Sequence, residues 1–292
     1  MRAHKKWVIY AALAPAIAVA IIAYVGTMIW TIWISFTNAK LLPNGAFVGL
    51  AQYQRLAFDL KWQVASTNLA IYCVLFIAAS MILGFLLAVA LDLKVRAEGV
   101  FRTMYLFPQG MSFVITGLVW QWIMNPTLGL QRFVNNIGLE GLRVDWIVRQ
   151  DAAIYVLVMA GTWQASGLVM AIMLAGMRGI DPQLWKAAQV DGIPPWRYYT
   201  NIALPELRAM VVTAVILLAL VGVKVYELVV AMTNGGPGIA TEVPTKFIME
   251  YFFERTNVGL ATAAATVMLV TVAAIAVPFV YVQYFRNVAR PR

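Results

Sequence analysis

Long runs without a charged residue are the main pattern along this chain. Most of these runs extend over roughly 20 residues or more, which is enough apolar helix to cross the hydrocarbon of a bilayer. The pattern predicts about six transmembrane helices, and the first run is too long for the apolar region of a cleaved secretory signal. The predicted spans are 7–36, 64–91, 105–126, 152–177, 209–232 and 260–285.

The distribution of charge orients these spans. Six spans place both termini on one side of the membrane. If that side is the inside, the inner segments hold 13 Lys and Arg against 8 in the outer segments, while Asp and Glu number 5 inside and 7 outside. Because an excess of Lys and Arg stays in the cytoplasm, both termini are predicted to be cytoplasmic.

Composition agrees with a membrane protein. Hydrophobic residues make up 62% of the 292 positions and charged residues 12%, against roughly 45–50% and roughly 25% in soluble domains. The net charge of +9 is typical of cationic loops that face anionic lipid, so we expect lipid contacts and no nucleic acid. We find no soluble insert and predict one transmembrane domain over 1–292.

Several kinds of chemistry are missing from the sequence. No stretch matches the phosphate-binding loop G-x-x-x-x-G-K-[ST], and the glycine-rich stretch 235–238 has no lysine after it, so we interpret it as a turn. One cysteine, Cys73, and one histidine, His4, cannot build a zinc site of the usual kind. The spans contain only two ionisable residues, Lys224 and Glu227, and no catalytic group is predicted.

The segment 178–208, between the fourth and fifth predicted spans, is the most informative part of the chain. Asp181 followed by Pro182 suits the start of a helix, and Gly192 suits its end. A short amphipathic helix is therefore predicted on the cytoplasmic face. From these residues alone, it either lies on the lipid headgroups or docks on a partner protein.

The same segment resembles the cytoplasmic signature of the permease subunits of bacterial ABC importers, which is Glu-Ala-Ala, three residues, Gly, nine residues, Ile, one residue, Leu-Pro. The departure is Lys186, which stands where the family usually has Glu. The positions that match the signature, together with the acidic residue before the glycine, are Ala187, Ala188, Asp191, Gly192, Ile202, Leu204 and Pro205.

Other stretches resemble the carbohydrate-uptake branch of this family, the maltose/glycerol-phosphate-type permeases. They are 47–53, Pro108 with 117–120, 126–129, and the Thr-Asn-Gly-Gly-Pro turn at 233–237. The resemblance implies an all-α membrane protein with the type I importer permease fold and six spans, located in the bacterial cytoplasmic membrane.

The resemblance also implies partners and roles. Two permeases would form the pore, this chain and a second homologous one, with two ATPase subunits below and an extracytoplasmic solute-binding protein above. The ATPases would bind ATP and Mg, and this chain would bind no cofactor and catalyse nothing. The signature segment would be a coupling helix that docks on an ATPase, with one contact there put in doubt by Lys186.

In such permeases the cargo site lies at mid-membrane in the fourth and fifth spans. The spacing between the two motifs places three residues on one stripe of the fifth span, and Lys224 and Glu227, three residues apart, either neutralise each other or meet the cargo. The residues expected along the path are Gln164, Ala165, Leu218, Gly222, Lys224, Val225 and Glu227.

A secondary transporter driven by an ion gradient is the alternative. Such proteins favour paired repeats and interrupted helices with ionisable residues at mid-depth. Only Lys224 and Glu227 favour this alternative in the sequence.

Overall fold

The computed structural model describes residues 13–41, 45–93, 95–139, 141 and 143–288. Within these ranges the chain forms helices, turns and one isolated β-bridge between Thr37 and Phe47, which confirms the predicted all-α class. The predicted start of the first span at residue 7, and His4, lie outside the described residues. In chain order the helices are α1 (Leu13–Ile34), α2 (Ala51–Ala57), α3 (Leu60–Asp92), α4 (Glu98–Leu106), α5 (Phe113–Ile123), α6 (Leu130–Asn136), α7 (Ala153–Met177), α8 (Pro182–Val190), α9 (Pro195–Glu206), α10 (Arg208–Val223), α11 (Tyr226–Met232), α12 (Pro244–Met249) and α13 (Val258–Val288).

Three of the described helices, α1, α3 and α7, are long and apolar enough to cross a membrane. A fourth span is counted if α9 and α10 are taken together, although they meet at an angle of 76°. Helix α13 is longer than the predicted sixth span, but its apolar described part is the shorter stretch Val258–Ala274. The count of six spans and the side of the termini therefore stay predictions.

The third predicted span, 105–126, is not one continuous helix. Helix α4 ends at Leu106, a 3₁₀ turn follows over Phe107–Gly110, and Met111 is extended with φ −85° and ψ 151°. Pro108 supplies no backbone N–H for an α-helix. Helix α5 then begins anew, because the Ser112 hydroxyl accepts a hydrogen bond from the Ile115 N–H at 3.3 Å and caps it.

The fifth predicted span is also broken, between Val223 and Tyr226. Lys224 and Val225 have ψ angles of 26° and 5°, far from the value of about −42° in an α-helix. No glycine or proline stands at the break itself. Packing accounts for it, since α11 lies closely against α5 and a Cβ added at Gly117 would come 2.7 Å from the Cβ of Ala231.

The described helices fall into two compact units. The larger unit, 64–246, has α7 at its centre, and most of the apolar stretch of α7 is buried there. Close approach to α7 depends on glycines: a Cβ at Gly84 would come 2.5 Å from Val169, and one at Gly167 would overlap the Tyr105 carbonyl. The largest fully buried side chains of this unit are Tyr72, Phe76, Leu157, Met170, Met173, Leu174, Leu218, Leu228 and Met232.

The smaller unit combines the two ends of the chain, up to residue 63 and from residue 247 onward. Here α13 packs on α1 and α2, and the Gly259 N–H donates to the Ala39 carbonyl at 2.9 Å. Its core stacks Phe247 on Tyr251, with ring centroids 4.2 Å apart, and adds Trp62 edge-on to Phe247. An ion pair between Lys61 and Glu250 ties the start of α3 to this core.

Candidate functional site

Helix α8 is held at both ends by the residues that the sequence analysis singled out. The Asp181 carboxylate accepts a hydrogen bond from the Gln183 N–H at 2.9 Å. At the other end Gly192 has φ +68°, its N–H donates to Gln189, and the Ile193 N–H donates to Ala188 at 2.9 Å. These bonds form the Schellman motif, in which a left-handed residue ends the helix. The predicted bounds of this helix are confirmed.

The two faces of α8 differ in their surroundings. Trp185 and Ala188 face inward, with the Trp185 ring 4.6 Å from that of Tyr198 in edge-to-face contact. On the other side Leu184 and Ala187 are exposed, and Val190 is 88% exposed. An exposed apolar surface on an otherwise well-capped helix is typical of a site that a partner protein or the lipid surface covers.

The residues of the signature divide between α8, its terminating turn and α9. Among the described residues, no ion pair involves Lys186. The exposed members are Lys186, Ala187, Asp191, Gly192 and Pro205, and the buried or half-buried members are Ala188, Ile202 and Leu204.

Two polar contacts join this segment to the neighbouring helix ends. The Tyr199 hydroxyl, in a π-turn of α9, donates to the Asp92 carboxylate at 2.9 Å. Arg178, after α7, pairs with Glu98 at 2.7 Å, and this hydrogen bond lowers the pKa of the Glu98 carboxyl. A cleft of about 500 Å³ opens between them, lined by Asp92, Leu93, Met177, Arg178, Ile180, Asp181, Pro182, Trp185, Tyr198 and Tyr199.

Most of the residues expected along the cargo path are buried inside the larger unit. The Gln164 amide donates to the Met111 carbonyl at 2.8 Å, so it satisfies a backbone group at the break before α5. Gly222 faces α3, where an added Cβ would lie 3.1 Å from the Cys73 sulfur. The single helical stripe predicted for this face is interrupted before Val225. The path residues that are buried are Gln164, Ala165, Leu218, Gly222 and Val225.

Lys224 lies in the break between α10 and α11, Glu227 lies in the first turn of α11, and both are exposed. The expected pairing three residues apart on one helix does not occur, because the helix ends before Lys224. Within the part of the chain that the structure describes, no ion pair joins these two residues. Their charges are therefore presented to whatever surrounds this face of the chain.

The glycine-rich stretch 235–238 forms a turn, as predicted, and hydrogen bonds hold the residues on both sides of it. Asn234, Gly235 and Gly238 all have positive φ, and the Thr233 hydroxyl lies 2.7 Å from that of Thr241. The Asn68 amide of α3 donates to the Ala240 and Glu242 carbonyls at 3.0 Å. The structure brings this turn together with the 126–129 motif in a cleft of about 310 Å³, whose lining includes Gln121, Asn125, Pro126, Thr233 and Pro237.

A family comparison decides the identity of this arrangement. The family described as binding-protein-dependent transport system inner membrane component matches residues 80–287, which is more than half of the chain. The chain belongs to this family. The resemblance to ABC importer permeases is thereby confirmed, and the matched residues contain α8, α9 and the turn after α11.

Individual relatives of this permease cover nearly its whole length. A probable ABC transporter permease protein of Pyrococcus horikoshii is 35% identical over 274 residues, covering 93% of this chain and 94% of the relative. The xylose/arabinose import permease protein of Haloferax volcanii is 30% identical over 275 residues, covering 92% of this chain and 86% of the relative.

The fold of the permease is also known from solved structures. One chain of a bacterial alginate ABC transporter, crystallised in complex with an alginate-pentasaccharide-bound periplasmic protein, superposes with a TM-score of 0.80 at 20% identity. The match covers 96% of this permease and 95% of that chain. It confirms the predicted permease fold.

Sequence reasoning missed several residues that position the site in this permease. Asn68 lies within a predicted span and Asp92 directly after it, and neither was assigned a role from the sequence, although a polar residue at such a position needs a hydrogen-bond partner. Glu242 is almost fully buried and pairs with Lys246 at 3.3 Å, four residues along the chain. That spacing is the signal that could have identified the pair.

Proposed function

We propose that this permease is the transmembrane subunit of an ATP-driven importer for a carbohydrate or carbohydrate-like solute. It forms half of the pore with a second homologous permease, in the cytoplasmic membrane. Two ATPase subunits bind ATP and Mg and dock below, and a solute-binding protein delivers cargo from outside. The family description supports the importer, and the names of the relatives, which refer to xylose, arabinose and alginate, support the cargo class.

The observation that carries the coupling role is the exposed apolar face of α8. Because α8 is capped at both ends, by Asp181 and by the Gly192 turn, it stays helical when a docked ATPase moves it. Leu184, Ala187 and Val190 would fill a groove on the ATPase, and Lys186 beside them would face an altered or acidic surface there. Docking removes this apolar area from water, which favours the complex.

Interrupted helices also occur in secondary transporters, and α5 and α11 follow such breaks. The family match and the signature on α8 and α9 favour the ATP-driven importer over that alternative.

Reconstitution tests the proposal. The permease is purified with its ATPase, second permease and solute-binding protein, placed in proteoliposomes, and supplied with a panel of pentoses, disaccharides and oligosaccharides. We expect one carbohydrate class to stimulate ATP hydrolysis and to accumulate, both only when the binding protein is present. Uptake that needs no ATP and collapses on addition of an ionophore would instead establish the secondary transporter.

Lys224 and Glu227 provide a test of the cargo path. Since they are exposed and unpaired with each other, we propose that they hydrogen-bond hydroxyls or an anionic substituent of the solute. Exchanging the charges (Lys224→Glu with Glu227→Lys) is expected to weaken the apparent affinity for solute about tenfold, because a hydrogen bond to a charged group is lost. The measurement is the solute concentration that gives half-maximal uptake.

The matched control exchanges an exposed ion pair elsewhere, Arg149 with Asp151, whose charged atoms lie 2.6 Å apart. Exposed pairs contribute only about 0–1 kcal/mol, so this control should transport normally. If the variant with exchanged charges at Lys224 and Glu227 also transports with normal kinetics, the proposed contact of these residues with the solute is rejected.

A further inference from the structure

The hydrogen bond between Tyr199 and Asp92 joins the segment that carries α8 to the end of the long helix α3. Asp92 is the last residue of α3, a helix long enough to span the membrane, while Tyr199 belongs to the segment that carries α8. The donor and acceptor are 2.9 Å apart. Tyr199 is only 6% exposed, so its hydroxyl is largely withdrawn from competing water.

An aromatic cluster connects this bond to α8. The Trp185 ring lies 4.6 Å from Tyr198 and 6.2 Å from Tyr199, and the two tyrosine rings are 5.4 Å apart. Closely packed aromatic rings move together, because separating them exposes apolar area. A displacement of Trp185 with its helix is therefore transmitted to the Tyr199 hydroxyl.

The segment packs against the ends of α3 and α7, since Ala188, Tyr198 and Tyr199 belong to the same buried core cluster as Leu91 and Met177, and a cleft lies beside the bond. The cleft of about 500 Å³ has Asp92 and Met177 on the side of α3 and α7, and Pro182 and Trp185 on the side of α8. The Tyr199–Asp92 hydrogen bond adds a directional polar contact to this apolar packing. The other polar contact, Arg178 with Glu98, has an exposed guanidinium and is screened by solvent, so it is the weaker of the two.

The protonation of the Tyr199 hydroxyl favours a stable hydrogen bond to Asp92. Burial, together with the hydrogen bond to Asp92, raises the pKa of the Tyr199 hydroxyl. The hydroxyl therefore keeps its proton throughout the physiological range and remains a donor to the carboxylate. A hydrogen bond to an ionised acceptor is stronger than one between neutral groups.

We propose that the Tyr199–Asp92 hydrogen bond is the link through which α8 moves the cytoplasmic end of α3 during transport. Tyr199 and Asp92 are positioning residues in this role, since they act through α8 and α3. The inference rests on the proposed function, since it needs α8 to be moved by an ATPase. Without the link, ATP hydrolysis continues but moves less solute.

The substitution Tyr199→Phe tests the link in the complete reconstituted transporter, because it removes only the hydroxyl. We expect ATP hydrolysis to stay within about twofold of wild type, while the amount of solute imported per ATP falls about tenfold. Tyr198→Phe is the matched control. Tyr198 packs in the same cluster, and among the described residues its hydroxyl makes no hydrogen bond. The Tyr198→Phe transporter should therefore import as much solute per ATP as the wild type.

Substitutions at Asp92 provide the second measurement. Asp92→Asn keeps an acceptor oxygen and should retain most of the wild-type ratio of solute imported per ATP. Asp92→Leu should reproduce the roughly tenfold fall expected for Tyr199→Phe. A Tyr199→Phe transporter with the wild-type ratio overturns the inference. If that variant does not assemble, equal ratios in Asp92→Asn and Asp92→Leu overturn it. A wild-type transporter without ATP-dependent uptake would contradict the proposed function itself, which separates the two failures.

Discussion

Replacing Gly192 with valine is expected to abolish most ATP-dependent uptake while the chain still inserts into the membrane. Gly192 has φ +68°, and an added Cβ would meet nothing within 4 Å. The cost is therefore one of backbone conformation, about 1–2 kcal/mol for an ordinary residue and more for a β-branched one. Relief of that strain would open the turn and displace Asp191 and the end of α8, which we propose dock on the ATPase. Uptake should fall at least about tenfold.

The matched control is Gly99→Val. Gly99 lies near the start of α4, where an added Cβ also meets nothing within 4 Å, but its φ is not in the left-handed region. This variant should transport normally. Uptake in proteoliposomes and co-purification of the ATPase are the two measurements. If Gly192→Val retains both at the wild-type level, docking through α8 is wrong.

Replacing Gly167 with alanine is expected to have the largest effect on stability. Gly167 lies in α7, and a Cβ there would overlap the carbonyl of Tyr105, a backbone group that cannot rotate away. Overpacking of this kind costs typically about 1–3 kcal/mol, and contact with backbone at the centre of the larger unit places this site at the upper end. The break before α5 would be displaced with it.

Thermal unfolding in detergent measures this effect. Cys73 is the only cysteine of the chain and is partly buried, so its reaction with a thiol-specific dye reports unfolding. Gly110→Ala is the control, because an added Cβ at that position meets nothing within 4 Å. An unfolding temperature for Gly167→Ala equal to that of Gly110→Ala would show that α7 and Tyr105 separate easily.

Features encoded by local chemistry could be predicted from the sequence. The ends of α8 follow from Asp181 and Gly192, whose capping and left-handed conformations are properties of single residues and their neighbours. The spans formed by α3 and α7 follow from their uncharged runs. The turn at 233–238 follows from its glycines and proline.

Features fixed by tertiary contact could not be predicted. No residue marks the break at Lys224, which depends on the packing of α11 against α5. The burial of Gln164 depends on a carbonyl at Met111, exposed by a break elsewhere in the chain. Tyr199 and Asp92 are 107 positions apart, and no local pattern in the sequence relates them.

The composition of the smaller unit has a consequence for biosynthesis. Because α1 and α2 pack on α13, these two helices cannot complete their contacts until α13 has left the ribosome. All of residues 64–246 is synthesised in between, which takes on the order of 10 s or more at about 5–20 residues per second. During that interval α1 lacks its contacts with α13. The larger unit, whose helices are contiguous in the chain, can fold before the smaller unit closes.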